Sequence, residues 1–227
     1  MDKKYIASRA NEELKILYPS AECALLWGGG EHNAWKLVVM GRLSAQCTDA
    51  RVNIVCKTLF EAYKTPWELA DAPIEDIENI IRPCGLFHTK AADIKSECFD
   101  IAYKYNGRVP DTMEELLSLR GVGRKIANLL LGDLYGKGGI VADTHCIRIC
   151  GRLGMYPETL RDPTRIEGIL RELLDPARGS DFCHRIVEFG REFCTARAPS
   201  CAICPLADLC EKNIRQNSKN AGKVAPV

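Results

Sequence analysis

The sequence contains no run of about 18 uncharged apolar residues, the shortest that spans a bilayer as a helix, and Met1-Asp2-Lys3-Lys4 is not followed by the apolar stretch of a secretion signal. Neither a membrane span nor export is expected, so the expected location is intracellular. Charge of one sign is also scarce. The 31 Lys and Arg against 30 Asp and Glu leave a net charge of +1, which argues against polyanion binding through bulk charge. Lys212, Arg215, Lys219 and Lys223 follow Glu211 with no acid among them, so the remainder carries an acidic excess and an anionic partner has to be held by a local patch. No period-two alternation bounded by turn residues is present, so no strand is expected. A chain of this length buries roughly 70% of its unfolded surface and folds without staples. In a reducing compartment its 12 cysteines are therefore core residues, ligands or nucleophiles, not disulfides.

What the sequence does have is helical periodicity. Over 91–106, Ala91, Ile94, Cys98, Ile101, Ala102 and Tyr105 advance by threes and fours and Gly107 follows as a stop; over 49–63, Val52, Val55, Leu59, Phe60 and Tyr63 do the same. Thr65 before Pro66 has the form of an N-cap with proline in the first turn, and Pro73 repeats the pattern, predicting short helices over 66–71 and 73–82. Asp111 with Glu114 three residues on reads as a capping box for a helix ending near Leu119. With a further helix around 3–17, the predicted fold class is all-α. Glycine-rich breaks at 27–32 and 136–139 suggest one domain over 27–137 and a second formed by 1–26 with 138–212. The polar, basic, aperiodic stretch 213–227 is expected to be disordered.

Two constellations carry chemistry. In Leu119-Arg120-Gly121-Val122-Gly123-Arg124-Lys125-Ile126-Ala127, two glycines two apart suit a tight interhelical turn where φ > 0 is needed and a Cβ would obstruct an approaching group. Such a turn offers backbone N–H groups and a helix N-terminus to a phosphate, with Arg124 and Lys125 adding charge. The nucleotide-binding P-loop is excluded because its four-residue spacer and GK[ST] ending are absent. The Lys125 amine is a candidate Schiff-base nucleophile, the plainer alternative being a phosphate-binding lysine. Asp143, in Ile140-Val141-Ala142-Asp143-Thr144-His145, is either a helix N-cap or a carboxylate that faces that lysine and stabilises positive charge on a sugar.

The second constellation is Cys194, Cys201, Cys204 and Cys210, with spacers of 6, 2 and 5. Core filling does not account for that density, so a metal centre is expected. Zinc favours paired C-x2-C knuckles, whereas these unequal spacers favour an iron–sulfur cluster. The other eight cysteines, at 23, 47, 56, 84, 98, 146, 150 and 183, are scattered on apolar faces and read as core filling.

Leu43-Ser44-Ala45-Gln46 with Thr48-Asp49, Gly85-Leu86, Gly121 to Lys125, Asp143-Thr144-His145 and the four clustered cysteines together resemble the endonuclease III branch of the helix-hairpin-helix DNA glycosylases, from Leu43 to Cys210. The resemblance implies two helical lobes: a six-helix barrel with the hairpin, and a lobe holding a four-iron four-sulfur cluster on Cys194, Cys201, Cys204 and Cys210. Double-stranded DNA would lie across the cleft between them. It implies a monomeric, cytoplasmic or nucleoid-associated base-excision-repair enzyme that flips a damaged base, an oxidised pyrimidine, out of the duplex. Lys125 would attack C1′, expel the base and hold the sugar as a Schiff base until β-elimination of the 3′ phosphate nicks the strand, and Asp143 would stabilise the sugar cation and assist proton transfers. Gly121 and Gly123 would present N–H groups to a phosphate, with Arg120, Val122 and Arg124 beside them. Gln46 would fill the gap left by the flipped nucleotide, Leu86 would wedge the stack, and Arg197 would contact DNA. The lysine at 125 distinguishes the chain from adenine-mismatch glycosylases of the same superfamily, which lack it.

The chain departs from the family pattern in several places. Arg120 stands where proline is usual, adding charge and loosening the turn; Ile126 stands where threonine is common; and His88 follows Gly-Leu-Phe where Tyr-Asn is commoner. The Cys194–Cys201 loop keeps only Arg197 as a basic residue, so DNA binding weaker or more salt-sensitive than a typical relative's is expected. The alternatives are a glycosylase for another lesion (an oxidised purine or a mismatched base), a non-catalytic DNA-binding iron–sulfur module, and an iron–sulfur electron carrier. The Lys125 and Asp143 pair favours the enzyme, since holding phosphates needs neither.

Overall fold

Side-chain caps and prolines set where the helices begin. In a computed structural model, which describes residues 1–213, the α-helices are α1 (Lys3–Leu17), α2 (Ala34–Leu43), α3 (Asp49–Ala62), α4 (Pro66–Asp71), α5 (Ile74–Ile81), α6 (Phe87–Phe99), α7 (Met113–Ser118), α8 (Arg124–Tyr135), α9 (Thr144–Leu153), α10 (Pro163–Leu173) and α11 (Gly179–Glu192). There is no strand among the described residues, and the tail expected over 213–227 lies outside them from 214 on. Thr65 caps α4 as the sequence predicts, and Thr48 does the same for α3, each accepting the N–H of the third residue on. The start of α7 differs. Thr112, not Asp111, is the cap, and it exchanges hydrogen bonds with Glu115, not Glu114: the Glu115 N–H reaches Thr112 Oγ1 at 3.3 Å, and that hydroxyl donates to Glu115 Oε2 at 2.7 Å. Lys137 takes Asp111 instead, bonding its carboxylate and its carbonyl. The helix predicted over 91–106 starts earlier, at Phe87, and its last turn, Asp100–Lys104, widens to i→i+5 bonding before Gly107 (φ +82°) ends it.

The chain divides into two compact units, residues 23–139 and residues 1–22 together with 140 onward. In the first, α2 is the central helix and is buried on nearly all sides, with Leu37, Val38, Val39, Met40 and Leu43 all inaccessible. It packs against α3, α6 and α8, while α4 and α5 both pack against α6 and α5 also against α3. Ile126 is accommodated because residue 41 is glycine: a Cβ there would come within 3.0 Å of the Ile126 side chain. In the second unit α1 lies against α10 and α11, and α9 against α11, around Leu14, Ile149, Phe182, Ile186 and Phe189. Of the eight scattered cysteines, Cys56, Cys84, Cys98, Cys146, Cys150 and Cys183 are buried in these two cores, and Cys23 and Cys47 are half-buried at the edge of the first.

Candidate nucleic-acid interface and cluster site

The two glycines of the α7–α8 hairpin have different causes. Gly121 has φ +87°, and a Cβ on it would lie 2.9 Å from both Arg42 Cδ and Asp93 Cβ, so backbone conformation and internal packing both require glycine. Gly123 has φ −92°, which any residue adopts, and a Cβ there would meet nothing within 4 Å. Nothing inside the protein demands a glycine at 123. The N–H groups of Gly121 and Gly123 have no acceptor among the described residues, and α8 begins beyond them with the exposed Arg124 and Lys125. Val122 is different, being buried, with its N–H closed onto the Leu119 carbonyl at 3.1 Å. Arg120 does not loosen the turn. Its Nε donates to Asp93 Oδ1 at 2.8 Å, tying the hairpin to α6, while Arg42 Nε and a terminal nitrogen each reach Asp93 Oδ2 at 2.7 Å.

Gln46 and Leu86, the two residues expected to enter the base stack, share an unusual backbone. Both are exposed and both lie in the left-handed region, at φ +55° and +50°, where a side chain other than glycine's costs energy. Their turns leave from a common root. Lys90 of α6 is fully buried, and its ammonium donates to the Leu43 carbonyl, at the end of α2, and to the Cys84 carbonyl, both at 2.9 Å. Burial pushes its pKa down, and the two carbonyls supply the hydrogen bonds that an ammonium out of water needs. His88, next to the Leu86 turn, is exposed and bonds Glu78 at 2.8 Å. Sequence reasoning missed Arg42, Lys90, Asp93 and Glu97. The signal was available: 90, 93 and 97 recur at helical spacing on the same buried side of α6 as Ala91, Ile94 and Cys98, so charges interrupt an apolar stripe.

In the other unit, Asp143 is the N-cap of α9. One carboxylate oxygen accepts the Cys146 N–H at 2.7 Å; the other takes no hydrogen bond from a described residue. Asp143 is half-buried, so the capping bond fixes a carboxylate that solvent still reaches. Arg197 is exposed on the loop after Cys194. Cys194, Cys201, Cys204 and Cys210 line one cavity, walled by Ile149, Leu153, Phe189, Phe193 and Leu206. Among the described residues no three Cys, His, Asp or Glu side chains converge as ligands of a single metal ion. Four thiols around one space suit a polynuclear centre that occupies the space itself. Burial raises the Cys204 and Cys210 thiols, but backbone N–H groups of Leu206, and of Lys212 and Asn213, point at these sulfurs and favour their thiolates. Arg152, also missed in the sequence, is buried and holds the loop: it donates to the Thr195 carbonyl at 2.8 Å, the Ala196 carbonyl at 3.0 Å and Cys194 Sγ at 3.3 Å.

The helix–glycine turn–helix element and the four-thiol site each fall in a segment that matches a known family. Residues 39–176 match the HhH-GPD superfamily of base excision DNA repair proteins, and residues 194–210 match the iron–sulfur binding domain of endonuclease III. The chain is 41% identical to endonuclease III of Synechocystis over 92% of its own length and 93% of the relative's. It superposes with TM-scores of 0.86 on a non-covalent endonuclease III–DNA complex and 0.85 on a trapped endonuclease III–DNA covalent intermediate. Each is 36% identical, and each match covers 96% of this chain and 99% of the other. The chain belongs to the endonuclease III family. It is a DNA glycosylase with lyase activity at abasic sites, and its cofactor is a four-iron four-sulfur cluster. No helix of the described residues is long and apolar enough to cross a membrane.

Proposed function

We propose that the chain acts as a monomer on duplex DNA, excises oxidised pyrimidines and then cuts the strand at the abasic site, with Lys125 as nucleophile. The observation that carries this reading is the exposed amine at the second residue of α8, directly after a turn whose two glycine N–H groups are unspent. A DNA phosphate seated on those N–H groups and on the N-terminus of α8 brings the adjoining nucleotide within reach of the lysine.

The Lys125 nitrogen lone pair attacks C1′ as the glycosidic bond breaks, and the departing base takes up a proton. Loss of the nitrogen's proton and opening of the sugar ring give a Schiff base between Lys125 and C1′. Removal of a C2′ proton then expels the 3′ phosphate, and water releases the sugar fragment. In this reading Asp143 carries the negative charge that offsets the developing sugar cation and relays protons, its capped oxygen fixed and its other oxygen available. Gln46 and Leu86 fill and wedge the stack, with their backbones already in the conformation that projects them. Arg120, Arg124 and Arg197 contact phosphates. Cys194, Cys201, Cys204 and Cys210 hold the cluster, which orders the loop carrying Arg197. We read residues 27–137 as the barrel domain, and 1–26 with 138–212 as the cluster domain. The substrate places the enzyme in the cytoplasm, at the nucleoid.

Borohydride trapping tests the reading. Purified holoenzyme is offered duplex DNA carrying thymine glycol or a plain abasic site, with Lys125→Ala alongside. Wild type trapped on both and the variant on neither is the expected outcome. Trapping on the abasic duplex alone moves the base specificity elsewhere, and trapping on neither leaves a DNA-binding module.

A further inference from the structure

The charged stripe inside α6 has a consequence at the hairpin. Asp93 is 8% exposed and receives three N–H donors, two from Arg42 and one from Arg120. Arg42, itself only 14% exposed, spends two donors on one carboxylate oxygen and is consumed as a buried structural ion pair. Arg120 is 60% exposed and spends only its Nε, so both terminal nitrogens are without a partner among the described residues. Two guanidinium groups on one carboxylate leave a surplus positive charge, and the neighbouring Glu97, inaccessible and with neither oxygen hydrogen-bonded, is driven by burial toward its neutral form and does not cancel it. The bridge is packed against the turn: the missing Cβ of Gly121, the next residue, is the space filled by Arg42 Cδ and Asp93 Cβ.

We propose that Arg120 is a phosphate ligand held in position by Asp93, and that Arg42, by fixing the same carboxylate, completes a salt-bridge brace for the hairpin. A free arginine pays rotamer entropy when it docks on a phosphate; one already held at Nε has paid most of it, and its two terminal nitrogens remain to make the planar paired contact that guanidinium gives an anionic oxygen pair. Asp93 and Arg42 are thus positioning residues and Arg120 a binding residue. The brace also gives the turn, through an ionic contact to α6, the rigidity that a proline ring would give it covalently. This inference rests on the glycosylase reading of the hairpin and adds to it the source of its phosphate affinity.

The test is the affinity of purified holoenzyme for a duplex with a tetrahydrofuran abasic analogue, followed by fluorescence anisotropy across a salt series. Arg120→Ala is expected to raise Kd about tenfold at low salt and to make the slope of log K against log salt shallower by about 0.9, one phosphate contact. Arg120→Lys keeps the charge without the Nε anchor and is expected to retain the slope with a Kd about three- to tenfold higher. The double variant Arg42→Leu with Asp93→Asn removes the brace without stranding a buried charge, and the same three- to tenfold weakening at unchanged slope is expected. The Arg120 variants alter an exposed side chain, so they report even where the core pair does not fold. Wild-type Kd and slope in Arg120→Ala would overturn the ligand role, and wild-type Kd in the folded double variant would overturn the positioning role. Wild type that fails to bind the duplex at all would instead strike the glycosylase reading.

Discussion

The contrast between Gly121 and Gly123 yields a pair of substitutions with opposite expected effects. Alanine at 121 has to adopt φ +87°, which costs an L-residue about 1–2 kcal/mol, and its Cβ drives into Arg42 and Asp93 at 2.9 Å, each of which is held by the other. Adding about 1–2 kcal/mol for displacing that packed pair, Gly121→Ala should destabilise the 23–139 unit by about 3 kcal/mol, lowering its thermal midpoint by roughly 10 °C. Alanine at 123 needs no backbone change and meets no atom, so its stability should stay within about 0.5 kcal/mol of wild type. If a phosphate seats on the Gly123 N–H, however, the added methyl stands where the phosphate has to come, and Kd for abasic-analogue duplex should rise tenfold or more, about 1.4 kcal/mol. Calorimetry and anisotropy on the two variants check both halves. A Gly123→Ala protein that melts and binds like wild type would refute the inference that the empty space over residue 123 is reserved for DNA. A Gly121→Ala protein of wild-type stability would refute the packing account of the turn.

Lys90→Met keeps the volume but leaves the Leu43 and Cys84 carbonyls without their donor. A cost of about 2–3 kcal/mol is expected, together with weaker base flipping by 2-aminopurine fluorescence, and unchanged flipping in the folded variant would show that Lys90 does not hold the Gln46 and Leu86 turns. Burial raises the Glu97 carboxyl well above its ordinary 4.5, so the folded chain keeps a proton that the unfolded chain releases, and stability falls as pH rises from there toward the folded value. Glu97→Gln should remove that slope, gaining on wild type as pH rises above the ordinary carboxylate range; parallel curves of midpoint against pH would refute it. Arg152→Ala removes three side-chain hydrogen bonds from the Cys194–Ala196 segment, leaving Arg148 on the Cys194 carbonyl, and should lose iron to a chelator about tenfold faster or more, while iron loss at the wild-type rate would show that the loop is ordered without it.

The sequence was most informative where chemistry is local. Thr65 caps the residues beside it, the four cysteines fall within one short segment, and the Gly121–Gly123 turn lies in nine consecutive residues, so spacing alone displays what each can do. It was misleading at Asp111, where a nearby capping pattern lost to Lys137, 26 residues away, and at the end of α6, where wider bonding replaced the last predicted turn. It was silent on the partners of the charged residues of α6. Periodicity marks Lys90, Asp93 and Glu97 as charges within an apolar stripe, but which groups meet them there depends on what packs against that side. The partners that make the stripe a brace, Leu43 at 47 residues' separation, Arg42 at 51 and Arg120 at 27, are brought to it only by the folded chain. A buried charge is tolerable only when its counter-group is delivered with it, and that delivery is a property of long-range packing. The residues of this sequence determined an all-helical chain, a two-glycine interhelical turn followed by a lysine, and four cysteines clustered in one segment. Tertiary structure decided which buried charges hold that turn in place.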